Sequence, residues 1–218
     1  MGKTAIILGA TGLTGSILLQ KLMDNERYTT IKLFSRKKVE RLPSKVEQFV
    51  GDILELENFK KDFIADDVFC CIGTTAKKTP DKSLYKKIDF GIPVTAAKLS
   101  KENGIATFLV VSAIGANANS TIFYNKIKGE MEQAVLSTKI EKTHIFQPSI
   151  IGGNRQEQRI GEKIGLVVFK MLQPLFLGKL RKYRITEAED IAQAMINLAN
   201  STSTKTIITS DQITKISK

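Results

Sequence analysis

The sequence predicts an α/β fold in which a doubly wound parallel sheet carries helices on both faces. Short apolar runs alternate with helical patterns along the chain, and strands linked through helices pair in parallel with right-handed crossovers. The first run, Ala5-Ile6-Ile7-Leu8, is apolar at every position, as expected of a strand covered on both faces. It leads directly into a turn with three glycines and then into a helical pattern from about Leu13.

The remaining elements continue this alternation. A long helix predicted over 83–103 has Gly91 and Pro93 at its centre, where we expect a kink or a break. Near the C-terminus, Thr186 with Glu189 three residues later predicts a capping box for the last long helix. Further strands are predicted at 31–34, 46–50, 67–72, 108–111 and 143–146, and a further helix at 122–136.

Length and composition indicate one globular domain. The 218 residues are expected to form a single domain over 1–218 with a small C-terminal, substrate-side extension and a lid over 152–185. The first apolar run is too short for a signal peptide or a membrane span, so we expect a cytoplasmic protein. The neighbours Cys70 and Cys71 are the two cysteines, and adjacent strand residues point to opposite faces, which excludes a bridge between them.

The net charge of +11 raises the alternative of nucleic-acid binding, in which affinity would fall steeply with salt. The basic residues are dispersed as short pairs, such as Lys77-Lys78 and Lys86-Lys87, without interleaved aromatic side chains. This pattern is typical of solvated surfaces, so we expect neither a nucleic acid nor a membrane as partner. His144, in a predicted strand, is interpreted as a core residue, and one histidine with two adjacent cysteines predicts no metal site.

The glycine turn predicts a dinucleotide site of the Rossmann type. A pyrophosphate needs close backbone approach and converging N–H groups at a helix N-terminus, and glycines remove the Cβ atoms that would block both. About twenty residues later, the second strand ends in Ser35-Arg36-Lys37 without a carboxylate, and an arginine at this point suits a 2′-phosphate. The sequence therefore predicts NADP(H) rather than NAD(H). The residues expected to contact it are Gly9, Thr11, Gly12, Leu13, Thr14, Gly15, Ser35, Arg36, Lys37, Asp52, Ile53, Ile72, Gly73, Thr74, Tyr124, Lys128, Pro148, Ile150 and Ile151.

A second motif points to proton-transfer chemistry. Tyr124 and Lys128 are four residues apart on a predicted helix, so they share a face, and the ammonium is expected to lower the pKa of the phenol from about 10. Ser112, at the end of the preceding strand, is positioned to hydrogen-bond a substrate carbonyl.

Together these motifs resemble the short-chain dehydrogenase/reductase superfamily, and within it the Tat-interacting-protein-like oxidoreductases of the atypical branch. The resemblance rests on Cys70–Thr75, Ser112–Ala116, Tyr124–Glu130 and Gln147–Gly152, in this order. It implies that Ser112, Tyr124 and Lys128 are catalytic, that Lys128 also contacts the nicotinamide ribose, and that 148–151 meets the nicotinamide end. Related branches add a catalytic asparagine on an earlier helix, for which this sequence offers no clear position.

The expected function is therefore hydride transfer between NADP(H) and a small carbonyl or alcohol substrate. The alternative is an NADP(H)-binding redox sensor or regulatory scaffold that presents its surface to a protein partner without turnover. The same glycine turn serves both.

Overall fold

The structure is a computed structural model that describes residues 2–153 and 183–218. The strands are β1 (Lys3–Leu8), β2 (Tyr28–Ser35), β3 (Val46–Val50), β4 (Asp67–Cys70), β5 (Thr107–Val111), β6 (Lys142–Gln147), β7 (Ile151–Gly152), β8 (Thr186–Glu187) and β9 (Ile207–Thr209). The α-helices are α1 (Leu13–Met23), α2 (Lys82–Lys86), α3 (Ile92–Glu102), α4 (Phe123–Ser137), α5 (Ala188–Ala199) and α6 (Ser210–Ile216). A 3₁₀ segment spans Ile53–Phe59 and a π turn spans Lys87–Gly91.

Within the described residues, one parallel sheet has the strand order β3-β2-β1-β4-β5-β6-β9. Alternate side chains of β1 enter two different cores: Ala5 and Ile7 pack beneath α1 and α5, whereas Ile6 and Leu8 pack beneath α3 and α4. Successive strands are added toward one side of β1 as far as β3 and toward the other side from β4 onward, so the strand order switches between β1 and β4. In such folds, a ligand crevice forms at this switch point, beyond the carboxyl ends of the strands. The predicted doubly wound Rossmann-type fold is confirmed.

The long helix predicted over 83–103 is interrupted at its centre, as Gly91 and Pro93 indicate. α2 and α3 are joined by the π turn, which contains Asp89. Proline has no N–H, so Pro93 cannot donate an α-helical hydrogen bond to the carbonyl of Asp89 four residues earlier, and the wider turn accommodates this loss. The turn also determines where the Asp89 side chain points.

The predicted capping box at the start of α5 is wrong. The N-cap residue is Glu187, without a side-chain capping bond, and the Thr186 hydroxyl instead lies 2.6 Å from that of Ser210. A capping box is found at α6, where Thr209 and Gln212 exchange side-chain and backbone hydrogen bonds. Thr186 is fully buried, so its hydroxyl forms a tertiary hydrogen bond with Ser210 instead of the helix cap that the local pattern predicts.

A polar cluster ties together the amino ends of three strands. Asp67 accepts hydrogen bonds from Lys3 Nζ at 2.9 Å and from Tyr28 Oη at 2.7 Å. Asn200, just after α5, donates to Tyr28 Oη at 3.0 Å. We call these four residues the amino-edge cluster. It lies at the opposite edge of the sheet from the glycine turn, since all six neighbouring strand pairs are parallel.

No helix in 2–153 or 183–218 is long and apolar enough to cross a membrane. Most of the lid predicted over 152–185 lies outside the described residues.

Candidate active site

The three glycines after β1 fold as a tight backbone turn. Gly9 adopts φ +87°, a conformation that favours glycine, and its carbonyl accepts a hydrogen bond from Gly12 N–H at 2.9 Å. A Cβ on Gly15 would lie 2.1 Å from the same carbonyl oxygen. The turn therefore depends on glycine at its first position for conformation and at its last for space.

The turn leaves the N-terminus of α1 open to a ligand. No side chain caps this end, and its first turn contains no acidic residue. Thr11 and Gly12 are exposed, Leu13 is half-buried, and Thr14 and Gly15 are buried beneath them. Free N–H groups at the positive end of the helix dipole suit an anionic pyrophosphate, so these residues fit the predicted cofactor.

The ends of β2 and β3 lie side by side at the same edge. Arg36 and Lys37 are exposed directly after β2, and the Ser35 hydroxyl donates to the Lys37 carbonyl at 2.7 Å. Asp52 caps the 3₁₀ segment by accepting the Leu54 N–H at 2.9 Å. Arg36 and Lys37 lie at the edge where such folds are expected to hold an adenosine ribose. Ile53, directly after Asp52, is half-buried.

The loop after β4 brings the predicted residues Ile72, Gly73 and Thr74 to Lys128. A Cβ built on Gly73 would lie 3.9 Å from Lys128 Nζ and 3.6 Å from Asp89 Oδ1, so the loop passes directly over this pair. Lys128 Nζ itself lies 2.9 Å from Asp89 Oδ1. The other oxygen of Asp89 accepts the Thr74 N–H at 2.8 Å, which fixes the carboxylate between the loop and the lysine.

Asp89 is the site residue that sequence reasoning missed. The π turn between α2 and α3 presents this acid to the buried lysine. The signal in the sequence is an acidic residue between Lys86-Lys87 and the predicted break at Gly91 and Pro93. The pairing of Asp89 with Lys128 depends on the π turn, which the sequence pattern does not predict.

The electrostatics of Tyr124 differ from the expectation. Burial raises the pKa of Tyr124; Lys128 acts to lower it, as its spacing predicts, and Asp89 acts to raise it further. The net pKa lies above the ordinary tyrosine value, so the expected lowering is wrong. Burial is the main reason, and Asp89 opposes part of the effect of the ammonium.

Lys128 is charged despite its burial. Burial disfavours the ammonium, but Asp89 and Tyr124 outweigh this effect, and the pKa of Lys128 lies above the ordinary lysine value. The lysine side chain is 4% exposed and that of Asp89 is 1% exposed, so the pair is a desolvated ion pair.

The hydroxyl of Ser112 is hydrogen-bonded to a side chain inside the protein. Ser112 N–H extends the sheet ladder by donating to the Phe146 carbonyl at 2.7 Å, and the hydroxyl donates to Glu132 on α4. Gln147 Nε2 lies 3.0 Å from both carboxylate oxygens of Glu132. The predicted contact of Ser112 with a substrate carbonyl therefore competes with a contact inside the protein.

The segment after β6 is held by backbone hydrogen bonds to two neighbouring segments. The Pro148 carbonyl accepts Ile114 N–H at 2.8 Å, and the Ile150 carbonyl accepts Thr186 N–H at 3.0 Å. Ile151 then pairs with Thr186 in the short sheet of β7 and β8. Ile150 is 48% exposed, which leaves an apolar side chain available at the predicted nicotinamide end.

His144, Cys70 and Cys71 are the residues to which the sequence assigns no role in the chemistry. His144 is buried, with Nδ1 2.6 Å from the Lys205 carbonyl. Burial raises the pKa of Cys70 to about 11 and also raises that of Cys71, so neither thiol is activated. Across the ranges 2–153 and 183–218, no group of His, Cys, Asp and Glu is arranged to hold a metal ion.

Comparison with known proteins shows the family to which the chain belongs. A family model described as NAD(P)H-binding matches residues 9–151. Protein HTATIP2 of Rattus norvegicus is 32% identical over 174 residues, covering 78% of this chain and 72% of the rat protein. Protein FMP52-1, mitochondrial, of Scheffersomyces stipitis is 34% identical over 209 residues, covering 90% of this chain and 88% of the yeast protein. The family resemblance predicted from the motifs is confirmed.

Solved structures share the fold at low sequence identity. UDP-glucose 4-epimerase of Thermotoga maritima, solved with UDP-glucose, superposes with a TM-score of 0.71 at 18% identity, covering 97% of this chain and 80% of the epimerase. The Bordetella bronchiseptica enzyme WbmG in complex with NAD gives a TM-score of 0.71 at 11% identity, with coverages of 95% and 72%.

Proposed function

The chain belongs to the NAD(P)H-binding family, and from this premise we propose that it is an NADP(H)-dependent oxidoreductase that transfers a hydride to or from a small carbonyl or alcohol substrate. The observation that carries the proposal is the position of Lys128. Its buried ammonium reaches the loop after β4 from the helix face that also bears Tyr124. A charge held at this depth is costly unless it has a function or a partner, and here it has both a partner and a titratable neighbour.

Several residues are suited to hold the cofactor, which supplies the hydride from its nicotinamide ring when bound. The glycine turn and the open end of α1 would hold the pyrophosphate, and Arg36 the 2′-phosphate. Lys128 would contact the nicotinamide ribose, and the exposed Ile150 would meet the nicotinamide end.

Tyr124 is the proposed proton donor and acceptor. Because its pKa is raised, the phenol stays protonated at neutral pH and is ready to give a proton to a carbonyl oxygen during reduction. The reverse direction needs the phenolate and is therefore favoured only in base. The raised pKa thus favours reduction over oxidation near neutral pH.

A redox sensor without turnover is the second candidate. It is favoured by the Ser112 hydroxyl, whose proton is used in a hydrogen bond to Glu132. Such a protein would use the same cofactor site.

One experiment separates the two candidates. NADPH oxidation is followed with a panel of aldehydes, ketones and quinones, in the wild type and in Tyr124→Phe, and NADPH binding is measured by fluorescence titration. A reductase loses at least about 100-fold of its activity in Tyr124→Phe, the size of a general-acid contribution, while NADPH still binds. NADPH binding without oxidation by any carbonyl identifies the sensor, and absence of NADPH binding contradicts both.

A further inference from the structure

Glu132 lies in a closed hydrogen-bonded group beneath the proposed catalytic residues. It is one helical turn beyond Lys128 on α4 and is 9% exposed. Ser112 donates to its Oε1, and Gln147 Nε2 lies 3.0 Å from both of its oxygens. Ser112 and Gln147 extend from β5 and β6 on the side of the sheet that α4 covers, so the group lies between sheet and helix.

Counting hydrogens shows what this arrangement does to Ser112. A carboxylate only accepts hydrogen bonds, and a serine hydroxyl has one proton to donate. While Glu132 is ionised, that proton is used, and only the lone pairs of Ser112 Oγ can face a ligand. When Glu132 takes up a proton from solvent, its own O–H can donate to Ser112, and the serine proton becomes free to point outward. Gln147 can donate in both states, so it holds the Glu132 side chain in place whether or not the carboxyl group is ionised.

We propose that Glu132 is a positioning residue that sets whether the Ser112 hydroxyl accepts or donates a hydrogen bond at the active site. As a carboxylate it leaves Ser112 an acceptor, which suits a substrate alcohol. As a neutral acid it makes Ser112 a donor, which suits a substrate carbonyl. This inference rests on the proposed function, because it gives the two forms of Ser112 different substrate partners.

The surroundings of Glu132 allow both states. Burial raises its pKa, whereas the hydrogen bonds from Ser112 and Gln147 and the charge of Lys128 lower it. Among the described residues, Lys128 is the charge that acts on Glu132 from α4. Asp89, from the π turn, is paired with Lys128, and the groups that β5 and β6 present to Glu132 are the uncharged Ser112 and Gln147.

The first test needs no substrate. Glutamate labelled with ¹³C at Cδ is titrated by NMR in the whole protein, and the Glu132 signal is identified by its loss in Glu132→Gln. A hydrogen bond to a charged group contributes about 1.5 kcal/mol, so Ser112→Ala should raise the Glu132 pKa by about one unit. Ser137→Ala, on the exposed end of α4, should leave it unchanged. An unshifted pKa in Ser112→Ala overturns the proposal.

The second test measures the consequence for catalysis, with benzaldehyde and NADPH or benzyl alcohol and NADP⁺ as probes. In the wild type, kcat/KM for the aldehyde should fall and that for the alcohol should rise as the pH passes the Glu132 pKa found by NMR. Glu132→Gln should remove this step and keep the one that belongs to Tyr124, whereas Glu130→Gln, whose carboxylate pairs with Lys86, should keep both. A step that persists in Glu132→Gln contradicts the inference. A protein that reduces no carbonyl defeats the proposed function alone, because the NMR titration still decides the state of Ser112.

If Ser112→Ala does not fold, Ser112→Cys provides the same measurement. A thiol is a weaker hydrogen-bond donor than a hydroxyl, so the Glu132 pKa must again rise, and a lower or unchanged value overturns the proposal.

Discussion

The Asp89 carboxylate lies 2.9 Å from the Lys128 ammonium, and both side chains are almost fully buried. Removing one partner leaves an uncompensated buried charge, which costs about 3 kcal/mol of unfolding free energy or more. We therefore expect Asp89→Asn and Lys128→Met each to be strongly destabilising, and the double variant to lose clearly less than the sum of the two. Urea unfolding of all four proteins measures this, and strictly additive losses would contradict the pair.

The same pair controls the titration of Tyr124. Asp89 raises the pKa of Tyr124 and Lys128 lowers it, so Asp89→Asn should lower the tyrosine pKa and extend phenolate formation to lower pH. The pKa is read from a ¹³Cζ-tyrosine NMR titration, in which Tyr124→Phe identifies the signal. Glu130→Gln serves as a control, because Glu130 is paired with Lys86 and should not affect Tyr124. A higher tyrosine pKa in Asp89→Asn would mean that Asp89 acts by another route.

Arg36 is expected to select the phosphorylated cofactor. Loss of a charge-assisted hydrogen bond of about 1.5–3 kcal/mol should raise the Kd for NADPH by about 10- to 100-fold in Arg36→Ala and leave that for NADH nearly unchanged. Arg27→Ala, just before β2 at the opposite edge, is the matched control and should change neither. Equal losses for both cofactors would show that Arg36 supports the fold rather than the 2′-phosphate.

His144 makes the stability depend on pH. Burial lowers its pKa below 6.5, and Lys142 adds to this, although the hydrogen bond with the Lys205 carbonyl opposes it. The unfolded chain therefore takes up a proton that the folded chain refuses, and stability should be lost as the pH falls through 6.5 toward the folded-state pKa. Urea unfolding between pH 8 and pH 5 should show this loss, and His144→Gln should flatten it. If the unfolding free energy of His144→Gln depends on pH as steeply as that of the wild type, another titratable group causes the loss.

The sheet could be predicted from the sequence because its evidence is local. Runs such as Ala5–Leu8 are apolar at every position and end in glycine, so both the strand and its burial on two faces can be derived from neighbouring residues. β9 has three residues and no such run, and it exists because it pairs with β6. Its position follows from tertiary contacts, which the local pattern does not contain.

The candidate site was predictable in its residues and not in its hydrogen bonds. The spacing of Tyr124 and Lys128 follows from helix geometry and needs no further information. The direction of the Ser112 hydroxyl depends on Glu132, twenty residues away, and the charge balance at Tyr124 depends on Asp89, which the π turn presents. A hydrogen-bond donor has several partners within reach, and only the assembled structure decides among them.

The amino-edge cluster lies at the opposite edge of the sheet from the residues assigned to the chemistry, and this separation has an evolutionary consequence. Lys3, Tyr28, Asp67 and Asn200 hold the strand starts together, whereas every residue assigned to the chemistry lies at or beyond the strand ends. Substitutions at well-separated sites act almost independently, so a lineage can change its heat tolerance at the first edge without altering the chemistry at the second. The reverse does not hold, because the Asp89–Lys128 pair at the second edge also stabilises the fold.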